Sequence, residues 1–145
     1  MKQNQIANTG TYKKVDIIAS GDKLPFATNS QDFVLSSHVI EHFYDPVKTI
    51  KEWLRVVKPG GYVFIVVPHK ERTFDRERNR TTLAELIHRH EHPTVGAVYE
   101  HSNHYSVWIT QDFVELCKHY KWKVVATQDV DDKLGIGFTV VLQKE

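Results

Sequence analysis

Apolar residues change their spacing several times along the chain, and each change marks an element. Val15, Ile17, Ile18 and Ala19 predict a short strand over Val15–Ala19, closed by the turn-forming Ser20–Gly21–Asp22. Asn29–Ser30 signals a second turn and leads into a strand over Phe33–Ser37. Asp45–Pro46 reads as an N-cap and first helical residue, because proline lacks only a donor that a helix start leaves unpaired. Val47, Ile50, Leu54 and Val57 follow at helical spacing until Lys58–Pro59–Gly60–Gly61 stops the helix. Tyr62–Val67 is apolar without alternation, the pattern of a strand covered on both faces.

Beyond Pro68 the chain becomes polar, with a charged connector KERTFDRERNR over residues 70–80. Thr82–Leu83–Ala84–Glu85 has the form of a capping box and opens a short helix with Leu83, Leu86 and Ile87 on one face. Residues His92 to Tyr105 read as loop. Thr110 is expected to cap a further helix, whose Phe113, Leu116, Cys117 and Tyr120 share an apolar face. Trp122–Thr127 and Phe138–Gln143 are strands joined by the turn-rich DVDDKLGIG, and without a helix between them they should pair antiparallel. Strand, helix and buried strand in alternation predict an α/β fold with a mostly parallel sheet, to which the last two strands add an antiparallel pair. There are no internal repeats or linkers, so a polar leader over residues 1–14 and one domain over residues 15–145 follow.

Composition narrows the picture without deciding it. A length of 145 residues with 41% hydrophobic content suits a single core. A formal charge of +1 gives no electrostatic case for nucleic acid or an anionic membrane as partner. The opening MKQNQIANTG has no apolar h-region of a secretory signal, and no apolar run approaches a membrane span. The lone Cys117 excludes an intrachain disulfide and suits a reducing cytoplasm; its place in an apolar helical stripe makes it a packing residue.

Several segments, in order, resemble the later two thirds of the class I S-adenosylmethionine-dependent methyltransferase domain. Asp22–Lys23–Leu24–Pro25–Phe26 is similar to that family's acidic-x-Leu-Pro-Phe turn after its third strand. Asp32–His42, ending Ser-Ser-His-Val-Ile-Glu-His, is similar to the fourth-strand segment. Leu54–Gly61, reading LRVVKPGG, resembles the turn into the fifth strand, and Gly137–Leu142 the last hairpin. The resemblance implies a truncated Rossmann-like fold and S-adenosylmethionine as cofactor. By it, Ser20, Gly21, Asp22 and Leu24 would line the adenine side, and Ser37 and His38 would flank the methyl donor. It also puts the acceptor pocket near His101, His104 and Tyr105, and makes the acceptor a small molecule, such as a sugar or lipid-linked compound.

The departures carry equal weight. Family members open with a strand, a Gly-x-Gly-type loop and a helix, then an acidic residue that binds the cofactor ribose. Only fourteen residues precede Val15, whereas a βαβ unit needs about 30, so that unit is expected to be missing. Gly135–Ile136–Gly137 joins two strands and opens no helix, so it is no substitute. Ser20 stands where relatives often carry an aspartate. Weak or absent cofactor binding is therefore expected. With its family neighbours gone, Val15–Ala19 should pair beside Phe33–Ser37 or with another chain, and the uncovered sheet should drive self-association or recruit a partner chain.

Ser37, His38, Glu41 and His42 follow the carboxyl end of a parallel strand, where open α/β sheets bind ligands. His38 or His42 could serve as a general base, or both could be structural. The other histidines are not read as a metal site, since His88 and His92 share a helical face with no companion cysteine. Arg72, Arg76, Arg78 and Arg80 could grip an anion, but the interleaved Glu71, Asp75 and Glu77 favour a solvated segment. Two readings remain: a methyltransferase whose site is reduced or completed elsewhere, and a non-catalytic relative that works through its surface.

Overall fold

A computed structural model describes residues 14–94 and 103–145 of the chain. β1 is Gln31–Ser37, entered through Asn29, whose φ of 58° lies in the left-handed region that asparagine tolerates. After a 3-10 turn at Ile40–His42 comes α1, Pro46–Val56. The Asp45 carboxylate accepts the Lys48 N–H at 2.9 Å, so the expected cap is formed. The buried stripe of α1 is Val47, Ile50, Trp53 and Val56. Trp53 thus takes the inward place that simple spacing assigned to Leu54, which packs at the rim of the core.

β2 spans Val57–Pro68 and starts at the C-cap of α1, so the Lys58–Gly61 breaker is part of the strand and not a separate turn. Two 3-10 turns, Lys70–Arg72 and Phe74–Glu77, occupy the charged connector. α2, Leu83–Glu91, is capped by Thr82, whose hydroxyl accepts the Glu85 N–H at 3.1 Å. α3 is Thr110–His119. Its cap is Ile109, with the Asp112 carboxylate accepting the Ile109 N–H at 3.1 Å; Thr110 is already helical and its hydroxyl donates to Asp129. β3 is Lys123–Gln128 and β4 is Gly137–Gln143.

The sheet order is β1-β2-β4-β3. β1 runs parallel to β2, with Phe33 opposite Tyr62 and Ser37 opposite Val66. β4 runs antiparallel to both β2 and β3, which gives the expected C-terminal pair and a mixed sheet. The α/β architecture is as expected, but only β1–β2 is parallel, so the sheet is mixed and not mostly parallel, because β4 enters beside β2 from the last hairpin. Val63, Ile65, Val67, Phe138, Val140 and Leu142 project from one sheet face into a core shared with α1 and α3. Cys117 is fully buried there, and burial pushes its thiol up to about 12, in keeping with a packing role.

Two expectations are not met within the described residues. Phe33, Leu35, Tyr62 and Phe64 remain 65%, 66%, 47% and 38% exposed, so the unbroken apolar run of β2 is not covered on both faces by the described residues. Val15–Ala19 forms no strand and does not join β1; Val15, Ile17 and Ile18 are exposed. A strand needs a neighbour for its N–H and C=O groups, and nothing among the described residues provides one.

Candidate functional site

The carboxyl end of β1 sets the position of the site. Ser37 closes the strand opposite Val66, and the His38 N–H continues the ladder to the Val66 carbonyl at 2.9 Å. His38 then takes a φ of 54°, a conformation that costs a non-glycine residue about 1–2 kcal/mol. Its Nε2 is buried and finds no hydrogen-bond partner among the described residues. Burial holds its pKa below the usual imidazole value, with Asp131 pulling the other way, so the ring is neutral at pH 7.

The turn with Ser20, Gly21, Asp22 and Leu24 is pinned to α1. The Lys48 ammonium lies 2.7 Å from the Asp22 carboxylate, and the Trp53 indole donates to the Gly21 carbonyl at 2.9 Å. The Leu24 N–H donates to Glu52 at 2.7 Å, while Ser20 donates to Asp22. A Cβ on Gly21 would lie 2.9 Å from the Phe43 ring, so glycine lets this turn approach the segment after the 3-10 turn. Burial alone would raise the Asp22 pKa, but Lys48 and Ser20 overcome it and hold the carboxylate below its usual range.

Beyond the 3-10 turn, a second chain segment comes in. The Glu41 carbonyl accepts the Tyr105 N–H at 2.8 Å and the Ser106 N–H at 3.4 Å, which ties residues 103–106 to the end of β1. This brings His42 and His104 together edge to face, with ring centroids 4.9 Å apart, and places Tyr105 against Tyr44. The Glu41 side chain is 1% exposed, and neither of its oxygens has a hydrogen-bond partner among the described residues. Burial, reinforced by the nearby Asp75 carboxylate, pushes its pKa up to about 8. Asp75 is itself buried, 2.6 Å from His104 Nδ1 and 2.7 Å from the Arg78 guanidinium.

Of the residues expected to form the site, His42, His104 and Tyr105 therefore meet, with His38 and Ser37 at the strand end beside them. His101 lies outside the described residues. Asp75 and Arg78 were hidden from sequence reasoning, because an acid among arginines looks like a solvated run. Three of the four connector arginines have acidic partners: Arg72 with Asp129, Arg78 with Asp75 and Arg80 with Asp112. Arg72 and Arg80 thereby tie the connector to the domain, and Arg78 does so by donating to the His104 carbonyl at 2.7 Å. His88 and His92 stack at 4.3 Å on the exposed side of α2, away from this cluster.

The comparisons with known proteins bear on the fold and on part of the sequence. A family described as a methyltransferase domain matches residues 2–65. An uncharacterized methyltransferase of Mycobacterium sp. (strain KMS) is 56% identical over 43 residues, covering 30% of this chain and 17% of the relative. The chain thus aligns with less than a fifth of that curated relative. Among solved structures, the complex between the Haloferax volcanii Trm112 methyltransferase activator and a methyltransferase matches with a TM-score of 0.59 and 19% identity, over 99% of this chain and 67% of that one. An S-adenosylmethionine-dependent methyltransferase of Thermotoga maritima matches with a TM-score of 0.55 and 20% identity, over 88% of this chain and 62% of that one. The family model matches residues 2–65, the sequence relative matches a shorter segment, and the solved structures share the fold: the chain has a sequence segment and an α/β architecture in common with methyltransferases.

Proposed function

We propose that this chain forms the later part of a methyl-transfer site for a small-molecule acceptor, and that on its own it holds S-adenosylmethionine weakly. The observation that carries the reading is the meeting of Ser37–His38, Glu41–His42 and His104–Tyr105 at the carboxyl end of β1. On this reading the Ser20–Leu24 turn borders the adenine. Ser37 and His38 flank the methyl donor, and His42, His104 and Tyr105 face the acceptor. A neutral His38 with an open Nε2 suits a proton acceptor, although methyl transfer depends first on in-line positioning. No glycine-rich strand–loop–helix turn occurs among the described residues, so the contacts it makes in the family must come from elsewhere.

The residues present fit part of the cofactor. The pinned turn offers backbone groups and the Leu24 side chain as one wall for a flat ring, and the buried, unpaired His38 Nε2 offers a polar atom at the other end. When bound, S-adenosylmethionine would supply the electrophilic methyl group; the chain would orient it and exclude water. A titration followed by amide chemical shifts tests the assignment. Millimolar S-adenosylmethionine should move the Gly21, Asp22, Leu24, Ser37 and His38 signals. Shifts confined to other parts of the molecule contradict the reading.

A second reading rests on a separate observation, the exposed row Phe33, Leu35, Tyr62 and Phe64. It casts the chain as a subunit that works by association, through a second copy or a partner chain. The Haloferax volcanii match, a methyltransferase in complex with an activator, supports a partner as part of this fold's repertoire.

A further inference from the structure

The hydrogen bonds around His42 and His104 settle which nitrogen of each ring carries a proton. His42 Nδ1 lies 3.0 Å from the Asn103 carbonyl, which can only accept, so the proton is on Nδ1. His104 Nδ1 lies 2.6 Å from the Asp75 carboxylate, which also accepts from Arg78 and is the anionic partner, so here too the proton is on Nδ1. In both rings Nε2 is then the nitrogen that faces Glu41. These two nitrogens point at one atom, Glu41 Oε1, from 3.5 Å and 3.9 Å. Two imidazole nitrogens and a carboxyl oxygen gathered round one point form a donor set that a positive centre, a proton or a metal ion, would hold together. The Glu41 carboxylate, 1% exposed and with no hydrogen-bond partner among the described residues, shows the same deficit independently.

We propose that Glu41, His42 and His104 bind one divalent transition-metal ion of the zinc type, with a further coordination position left for an oxygen ligand. The donor atoms all lie within 4.8 Å of one another. Ligands about 2.1 Å from a tetrahedral ion stand roughly 3.4 Å apart, so small rotations of the rings would close the site. Two imidazoles and a carboxylate suit zinc and its neighbours better than magnesium or calcium, which prefer all-oxygen shells. The surroundings are those a metal site requires. Each imidazole donates its other N–H to a fixed acceptor, Asp75 or the Asn103 carbonyl, which sets its orientation and raises its basicity. Three protein ligands with an open position is the pattern of a site that acts on a bound oxygen, such as a hydroxyl group. The proposal stands on these contacts alone and does not depend on the methyl-transfer reading.

The test is titration of zinc chloride into the purified, chelator-treated chain, with cobalt(II) chloride as a spectroscopic stand-in. One equivalent should bind, and cobalt should give the intense visible bands of a four-coordinate site. His104→Ala should abolish both. Asp75→Asn leaves all three ligands in place, so it keeps the test valid if His104→Ala fails to fold; it should weaken binding about 10- to 100-fold. His88→Ala/His92→Ala, which removes the exposed stacked pair, should change nothing. Zinc binding that survives His104→Ala in a folded protein would overturn the proposal. So would loss of binding in the His88/His92 variant, or the absence of cobalt bands in the wild-type chain; the last result would mean that protons alone fill the cluster.

Discussion

Asp131 shows how one side chain can organise a turn. Its carboxylate accepts the N–H groups of Lys133, Leu134 and Gly137 at 3.0, 2.8 and 2.6 Å, at the point where the chain re-enters the sheet as β4. Burial favours the neutral acid, but these donors outweigh it and hold the carboxyl at about 2. A depressed folded-state pKa contributes stability that is fully present above the ordinary value near 3.8 and is lost as pH falls toward 2. A gap of that size corresponds to about 2 kcal/mol. Asp131→Asn should lower stability by about that amount at pH 7 and flatten its decline between pH 5 and pH 3, as read by urea unfolding. Equal acid slopes in the two proteins would contradict this account. The Asp75–His104 contact belongs to the same scale but could not be read in advance. Its partners lie 29 residues apart in segments that look like solvent-facing loop, and only the fold buries Asp75 and brings His104 against it.

Elements were legible where their causes are local. Asp45–Pro46 marks the start of α1 because a cap and a proline act within one turn, and the structure shows that cap. Removing it in Asp45→Ala should cost about 1 kcal/mol or more, because the same carboxylate also lies 2.9 Å from His90 Nδ1. Asp45→Asn, which keeps an oxygen for the Lys48 N–H, should recover most of the loss in urea unfolding; equal destabilisation by both would show that the cap contributes little. The last hairpin was legible for the same local reason, a turn-rich connector between two apolar runs. Val15–Ala19 was not, because strand pattern alone cannot say whether a pairing partner exists. Tyr62–Val67 misled in a related way. Its residues are all apolar, but what covers each face is decided by elements elsewhere, and Tyr62 and Phe64 face outward. Around the end of β1, Ser37–His38 and His104–Tyr105 could be singled out in the sequence as candidates, whereas their joining through the Glu41 carbonyl needed the coordinates.

On the scale of the whole molecule, a core on one face of the sheet contrasts with an apolar row on the other. β1 is also an edge strand among the described residues. Since the His38 N–H points to β2, alternation turns the N–H groups of Phe33, Leu35 and Ser37 toward the open edge. An open edge beside exposed aromatic and aliphatic side chains is a template for association. Sedimentation at about 50 micromolar should show a dimer or larger assembly, corresponding to about −6 kcal/mol or stronger. Leu35→Asp should shift it toward monomer without loss of helical circular dichroism. A clean monomer for the unaltered chain at that concentration would argue against self-association and leave a partner chain as the only form of the subunit reading.

The central claim is that the chain carries one part of a methyl-transfer site and leaves another part to be supplied, so the decisive quantity is its own affinity for the cofactor. Among the described residues, neither the glycine-rich loop nor an acid for the ribose hydroxyls is present, and the Ser20 hydroxyl is spent on Asp22. Hydrogen bonds involving a charged group contribute roughly 1.5–3 kcal/mol each, so two missing contacts weaken binding by about 3–6 kcal/mol. A micromolar site near −8 kcal/mol would fall to about millimolar or weaker. Isothermal titration of S-adenosylmethionine and of its demethylated product into the purified chain measures this directly. The account predicts a dissociation constant of about 1 millimolar or weaker for both. A value below about 50 micromolar would contradict it and show that this chain alone completes the cofactor site.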